Sequence, residues 1–305
     1  MTVGKNRDTP QFAGHETFPL RLLWLKKVYD HVGERLSLRT FQEQQAIGTF
    51  GVGRNMAVSM RFWALASAFF REDGTDIVPT ALGKLILADD GLDPYLERPS
   101  TIWLVHWHVA STRGKTTTAW YAFNQLASIE FDAHHLCDEV LAYAQKEACR
   151  ATRGTLKRDI EVFLRSYVRR DGAQGEDAAE PLLAELGLIR EARLGGWHEF
   201  VRGPKPTLSD GVFNYALAEF WKREGDSTAL TAEQICYAAG SPGRVFKLDE
   251  DSVISRLMVV AELTGGAWEW RDTAGLRQVH QLAAFDPVPL LQQSYAAPRR
   301  LARAA

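Results

Sequence analysis

Residues 51–63 read GVGRNMAVSMRFW, and the fold turns on what that stretch does. Either it turns and presents a helix to DNA, or it turns and packs a core. Two glycines flank Val52 and close a turn, and from Arg54 the spacing predicts a helix to about Ala68. At about 100° per residue, Met56, Met60 and Trp63 fall on one face with Ser67 below them. Arg54, Val58, Arg61 and Leu65 fall on the other. The two arginines therefore stand one above the other, on a face that is not purely polar.

The flanking sequence extends this reading. LRTFQEQQAIGTF, residues 38–50, predicts a preceding helix with Thr40 at its N-cap. FFREDGTDIVPT, residues 69–80, has a glycine turn between apolar ends, as a short hairpin would. PTALGKLIL opens another helix capped by Thr80. Helix, turn, helix and hairpin in that order describe a winged helix, whose second helix offers side chains to the major groove. There an arginine at 54 or 61 binds guanine bidentately, and Asn55 pairs with adenine or holds a phosphate. Two plainer readings stand beside it: arginines that only solvate an exposed face, or a helix-turn-helix that binds protein.

Outward from this block, the 305 residues divide into three regions: 12–130, 131–225 and 226–295. The first is dense in aromatics. The second reads as helical, broken by the acidic loop RRDGAQGEDAAEP. Within it TLKRDIEVFLRSYVRR carries Leu156, Ile160, Phe163, Leu164 and Tyr167 as a core stripe. Arg158, Arg165 and Arg169 recur on the far side, either along a phosphate backbone or as solvated charges with a Glu161–Arg165 pair. The third region repeats helix, turn, helix and hairpin in LTAEQICYAAGSPGRVFKLDEDSVISRLMVVAEL and WEWRDTAGLRQVHQL. Its second helix begins at Asp249, Glu250 and Asp251, which suit the helix dipole but repel phosphate. If this region meets DNA, Arg244 and Lys247 in SPGRVFK are the contacts; otherwise it docks or dimerises. The fold class expected is mainly α with small β hairpins: an N-terminal winged helix-turn-helix, a helical middle and a C-terminal winged-helix-like region. The last residues, APRRLARAA, read as a frayed basic tail.

Bulk composition narrows the function. Lys and Arg number 36 against 38 Asp and Glu, for a net charge of -2, so any DNA affinity must come from local basic faces. Cys137, Cys149 and Cys236 are widely spaced with no metal or redox pairing, which fits a reducing cytoplasm. The polar N-terminus shows no signal peptide, and no apolar run approaches the ~20 residues that span a bilayer. The expectation is a cytoplasmic protein with no membrane contact.

No nucleophile elbow, Walker loop, zincin or dinucleotide motif is present. The chemistry-bearing blocks are GHETFPLR, with His15 and Glu16 in a loop, and GLDPYLERPSTIWLVHWHVAS, with Asp93 and Glu97. Asp93 before Pro94 also reads as a helix N-cap with proline at N1. His106 and His108, two apart on a nearly all-apolar helix, cannot share a metal, and one of them is expected in the core. His134 and His135 read as surface.

The blocks FAGHETFPLRLLWLKK, GVGRNMAVSMRFWA, GLDPYLERPSTIWLVHW, TLKRDIEVFL, SPGRVFKLDEDS and DTAGLRQV together resemble the SspB-like DNA nickases of the Ssp DNA phosphorothioation systems, which serve in phage defence. The resemblance runs from about residue 12 to 295. It implies an enzyme encoded beside phosphoadenosine-phosphosulfate-reductase-like sulfur-transfer proteins. Such a nickase cuts one strand of double-stranded DNA so that sulfur can replace a non-bridging phosphate oxygen. The partners implied are a cysteine desulfurase, an ATPase and an ATP-pyrophosphatase-type sulfur transferase. Nicking would call for a divalent metal, Mg2+ or Mn2+, with Glu16, Asp93 and Glu97 as its ligands and His15 as general base. The rival class is a non-catalytic winged-helix specificity or recruitment subunit, or a transcriptional repressor, needing the arginines but no carboxylate site. A pure protein-docking scaffold is a third. A palindromic target would favour a homodimer.

Overall fold

Gly51 at φ +62 closes the turn before Gly53, whose extended backbone stands at the N-cap of the helix from Arg54. The structure, a computed structural model, describes residues 9–42, 45–169, 181–193 and 195–296. Most of the loop 169–181 and the tail 297–305 lie outside the described residues. The chain runs α1 Trp24–Val32, β1 Leu36–Ser37, α2 Gln45–Phe50, α3 Arg54–Ala66, β2 Phe70–Asp73, β3 Asp76–Pro79 and α4 Ala81–Leu87. Then come α5 Pro99–Ala110, α6 Thr117–Asn124, β4 Glu130–Phe131, α7 Ala133–Lys146, α8 Arg153–Tyr167, β5 Ile189–Arg193 and β6 Trp197–Phe200. The remainder is α9 Asp210–Arg223, β7 Ala229–Thr231, α10 Ala232–Tyr237, the single turn α11 Pro242–Val245, α12 Glu250–Met258, α13 Val260–Leu263, β8 Trp268–Thr273, β9 Leu276–Gln281 and α14 Val288–Gln293.

The protein is mostly helical, with three small antiparallel sheets of three strands each. Their orders are β1-β3-β2, β4-β6-β5 and β7-β9-β8. One plan is therefore used three times. A first strand is followed by helices, then by a hairpin whose second strand returns to the centre. Registers are set by pairs such as Leu36↔Ile77, Phe131↔His198 and Leu230↔Val279. Each pair seats an apolar side chain at the sheet's inner face. The middle region is thus not purely helical. β4 and β6 are short, and their runs lack the alternation that would have announced them.

Helix starts follow local chemistry. The Thr80 hydroxyl accepts from the Gly83 amide at 3.0 Å and starts α4. Thr231 and Gln234 close a capping box on α10. The helix expected over 38–50 is instead a 3-10 turn at Leu38–Phe41 and then α2, and Ser37 rather than Thr40 caps the turn. α5 is buried nearly all round, with Trp103 and Trp107 within the core. Around it one continuous hydrophobic cluster runs through all three sheet regions.

Candidate functional site

The segment from Thr9 to Pro19 passes between α3 and α8 and is tied to both. Its Gln11 amide bonds to the Gly114 carbonyl at 3.0 Å, and its Ala13 amide donates to Asp159 Oδ1 at 2.8 Å. The Phe18 carbonyl accepts from Trp63 Nε1 of α3 at 3.0 Å. Holding these contacts at once forces the loop through left-handed backbone at Ala13, Gly14, Glu16 and Thr17. For Ala13, Glu16 and Thr17 such conformations cost about 1–3 kcal/mol each and persist only where surroundings impose them. At Gly14, with φ +104, a Cβ would also stand 3.1 Å from the Phe62 ring, so this position requires glycine.

The loop delivers His15 to Asp159. His15 Nε2 lies 2.6 Å from Asp159 Oδ1, both side chains are buried, and Thr118 Oγ1 donates to Oδ2 of the same carboxyl. With amide and hydroxyl protons already directed at this carboxyl, Nε2 is the donor, and Nδ1 is left as the basic nitrogen. Nδ1 is buried and has no hydrogen-bond partner. Beside the pair is a cavity of about 30 Å³ lined by His15, Phe62, Lys115, Thr118, Asp159 and Ser166 among others. That is room for a water or two. Asp159 is not among the site residues that the sequence singles out. The signal was its place inside the Leu156–Ile160–Phe163 stripe: a buried carboxylate requires a donor.

The site sits between α3 and α8, and both helices carry basic residues outside the cavity lining. On α3, Arg54 and Asn55 are exposed at the N-terminus and Arg61 is half-buried. On α8, Lys157 and Arg158 are exposed, two and one residues before the buried Asp159. Among the described residues none of these four basic side chains has a carboxylate partner within 4 Å. Arg165 is different: it donates to the Thr17 carbonyl at 3.1 Å rather than pairing with Glu161, so it braces the loop.

Several expected site residues lie elsewhere. Asp93 is buried, accepting from the Glu97 and Arg98 amides at 2.9 Å each and from the Thr101 hydroxyl at 2.5 Å. It caps as expected of an aspartate, but α5 starts at Pro99 and not at Pro94, and both carboxyl oxygens are engaged by protein donors. Glu97 and Glu16 are exposed. Among the described residues no three His, Cys, Asp or Glu side chains gather where they could hold a metal ion, so Glu16, Asp93 and Glu97 do not form the expected metal site. Lys247 is no surface contact either. It is buried, its Nζ donates to the Phe123 carbonyl at 2.6 Å, and burial pushes its amine well below the usual lysine range. Arg244 is half-buried, with Arg202 beside it. His106 is the core histidine, bonded at 2.8 Å to both the Tyr167 hydroxyl and the Val245 carbonyl, and burial lowers its pKa to about 3.

No helix among the described residues is long and apolar enough to cross a membrane. The family model of a protein of unknown function, DUF4007, matches residues 12–295. An SspB crystal structure is similar at a TM-score of 0.83, with 25% identity over 95% of this chain and 88% of that one. A magnesium ion-bound SspB crystal structure has the same TM-score at 24% identity, covering 94% of this chain and 87% of the other. No curated protein matches the sequence.

Proposed function

Because this chain belongs to the DUF4007 family and is SspB-like, we propose that it binds duplex DNA in a phosphorothioation system and nicks one strand. The observation that carries the reading is the His15–Asp159 pair, with an unpartnered Nδ1 beside a water-sized cavity, set between α3 and α8. The helix, strand, two helices and hairpin over residues 24–79, with the third strand central, support a winged helix whose α3 enters the major groove.

In this reading Asp159 fixes the imidazole by holding Nε2–H, and Nδ1 removes the proton from a water in the cavity. The water oxygen then attacks a backbone phosphorus, and the bridging oxygen leaves. Asp159 stabilises the imidazolium, and Lys115 faces the charge that builds on the phosphate. A magnesium ion belongs to one of the similar structures, and the nicking expectation includes a divalent ion. The side chains here do not fit an all-protein cage for one. The proposal therefore assigns the proton transfer to His15 and leaves the carboxylates at 16, 93 and 97 out.

The test is conversion of supercoiled plasmid to open circles with Mg2+, Mn2+ or EDTA present. We expect His15→Asn and Asp159→Asn to reduce the rate by about 100-fold or more while binding persists. A folded His15→Asn protein that nicks like the parent overturns the assignment. Absence of nicking by the parent in every buffer, together with salt-sensitive duplex binding, makes the chain a non-catalytic DNA-binding subunit.

A further inference from the structure

A second basic cluster lies away from the His15 site. The Gly203 amide donates to the Lys247 carbonyl at 3.0 Å, and the Lys247 amide to the Arg244 carbonyl at 3.3 Å. These bonds lay the irregular segment after β6 against the turn α11, which brings Arg202 and Lys205 to the side of Arg244 and Lys247. The two lysines are buried, each donating to a carbonyl: Lys205 to Val201 at 2.8 Å and Lys247 to Phe123 at 2.6 Å. Lys247 Nζ also stands 4.0 Å from the Phe200 ring centroid. Arg202 is exposed and Arg244 half-buried, and Arg244 Nε is buried with no hydrogen-bond partner.

Among the described residues no carboxylate lies within 4 Å of any of the four. Asp249 acts on Lys205 alone among the four, and one of its oxygens accepts from the Ser252 amide at 2.9 Å. Burial and then Arg202 lower Arg244 below the usual guanidinium range, and burial, Arg202 and Arg244 together lower Lys247. A buried N–H without an acceptor and like charges without a counter-ion are both costly, and one anion relieves both.

We propose that Arg202 and Arg244 grip a phosphate group over the two buried lysines. Forked guanidiniums with no competing carboxylate suit a multiply charged anion with several oxygens better than a single carboxylate. The phosphate belongs either to the DNA backbone, which rests on the DNA reading above, or to a free phosphate ester, which does not.

Two arms separate these sources and test the site. Thermal unfolding of the full chain is compared in sodium phosphate and sodium chloride at equal ionic strength, and duplex affinity is titrated over a range of salt. Arg202→Met is exposed and compatible with folding; Arg244→Lys keeps the charge and removes the fork. Phosphate raises the midpoint of the parent, and both variants lose that specific shift, whereas general salt stabilisation stays in all three. If the phosphate is that of DNA, each variant also weakens duplex binding and lowers the salt slope by about one. If it is a free ester, duplex affinity is unchanged. The proposal is overturned if neither variant alters the phosphate shift or the duplex affinity. If the parent binds no duplex, the DNA reading falls and the orthophosphate arm still decides this site.

Discussion

His15 and His106 are both buried and put to opposite uses. His106 has both ring nitrogens satisfied and stays neutral in the core, whereas His15 has one nitrogen on Asp159 and one spare. The pKa of His106 is lowered to about 3, against about 6.5 when unfolded. Its contribution to stability is therefore complete above pH 6.5 and is lost as pH falls toward 3. The slope is about 1.4 kcal/mol per unit, near 2 kcal/mol between pH 6.5 and 5. His198 is lowered in the same direction by burial and adds to that window. Urea unfolding at pH 7 and pH 5 checks this: His106→Gln should show a smaller loss on acidification than the parent, and an equal loss would refute it.

At the scale of elements, three helices that lie between the first strand and the hairpin of each sheet differ in charge. α3 begins with Arg54 and Asn55, α8 exposes Lys157 and Arg158, and α12 begins with Glu250 and Asp251 behind the Asp249 cap. On the proposed DNA reading, the basic α3 and α8 suit a duplex and the acidic start of α12 repels one. Arg54→Ala is expected to weaken duplex binding and reduce the slope of log K against log salt by about one if it holds a phosphate. If Arg54 instead reads guanine, the loss is about 1–3 kcal/mol on the preferred sequence and little on others. Fluorescence anisotropy with two duplexes at several salt concentrations distinguishes the cases, and no change on either duplex would remove α3 from the interface.

Across the whole molecule, the three sheet regions share one core, and polar bonds lock the joins. Arg223 of α9 donates to the carbonyls of Ser111 at 3.1 Å and Gly240 at 2.9 Å, and the Gly240 amide donates to Asn124 at 2.7 Å. Gly240 has φ +79, and a Cβ there would stand 2.6 Å from the Ser111 carbonyl oxygen. Gly240→Ala should therefore cost about 2 kcal/mol or more, since strain and a backbone clash combine. Because the core is continuous, the loss should appear as a shift of one cooperative urea transition. Separate transitions for the N- and C-terminal regions would show that the joins do not couple them.

Periodicity and turn chemistry alone determined the helix at 54–66, the hairpins at 70–79 and 268–281, the Thr80 cap and the core histidine within WLVHWH, because each depends on neighbours within a few residues. The family resemblance likewise follows from blocks of contiguous residues. Only the tertiary structure decided the rest. His15 meets Asp159 across 144 positions, Asp93 spends its oxygens on amides four and five residues on, and Lys247 turns inward against Phe123 and Phe200. Chain order constrains a side chain's neighbours along a helix or strand. Which distant groups share its low-dielectric surroundings, and so its hydrogen bonds and its charge, is settled when the elements pack.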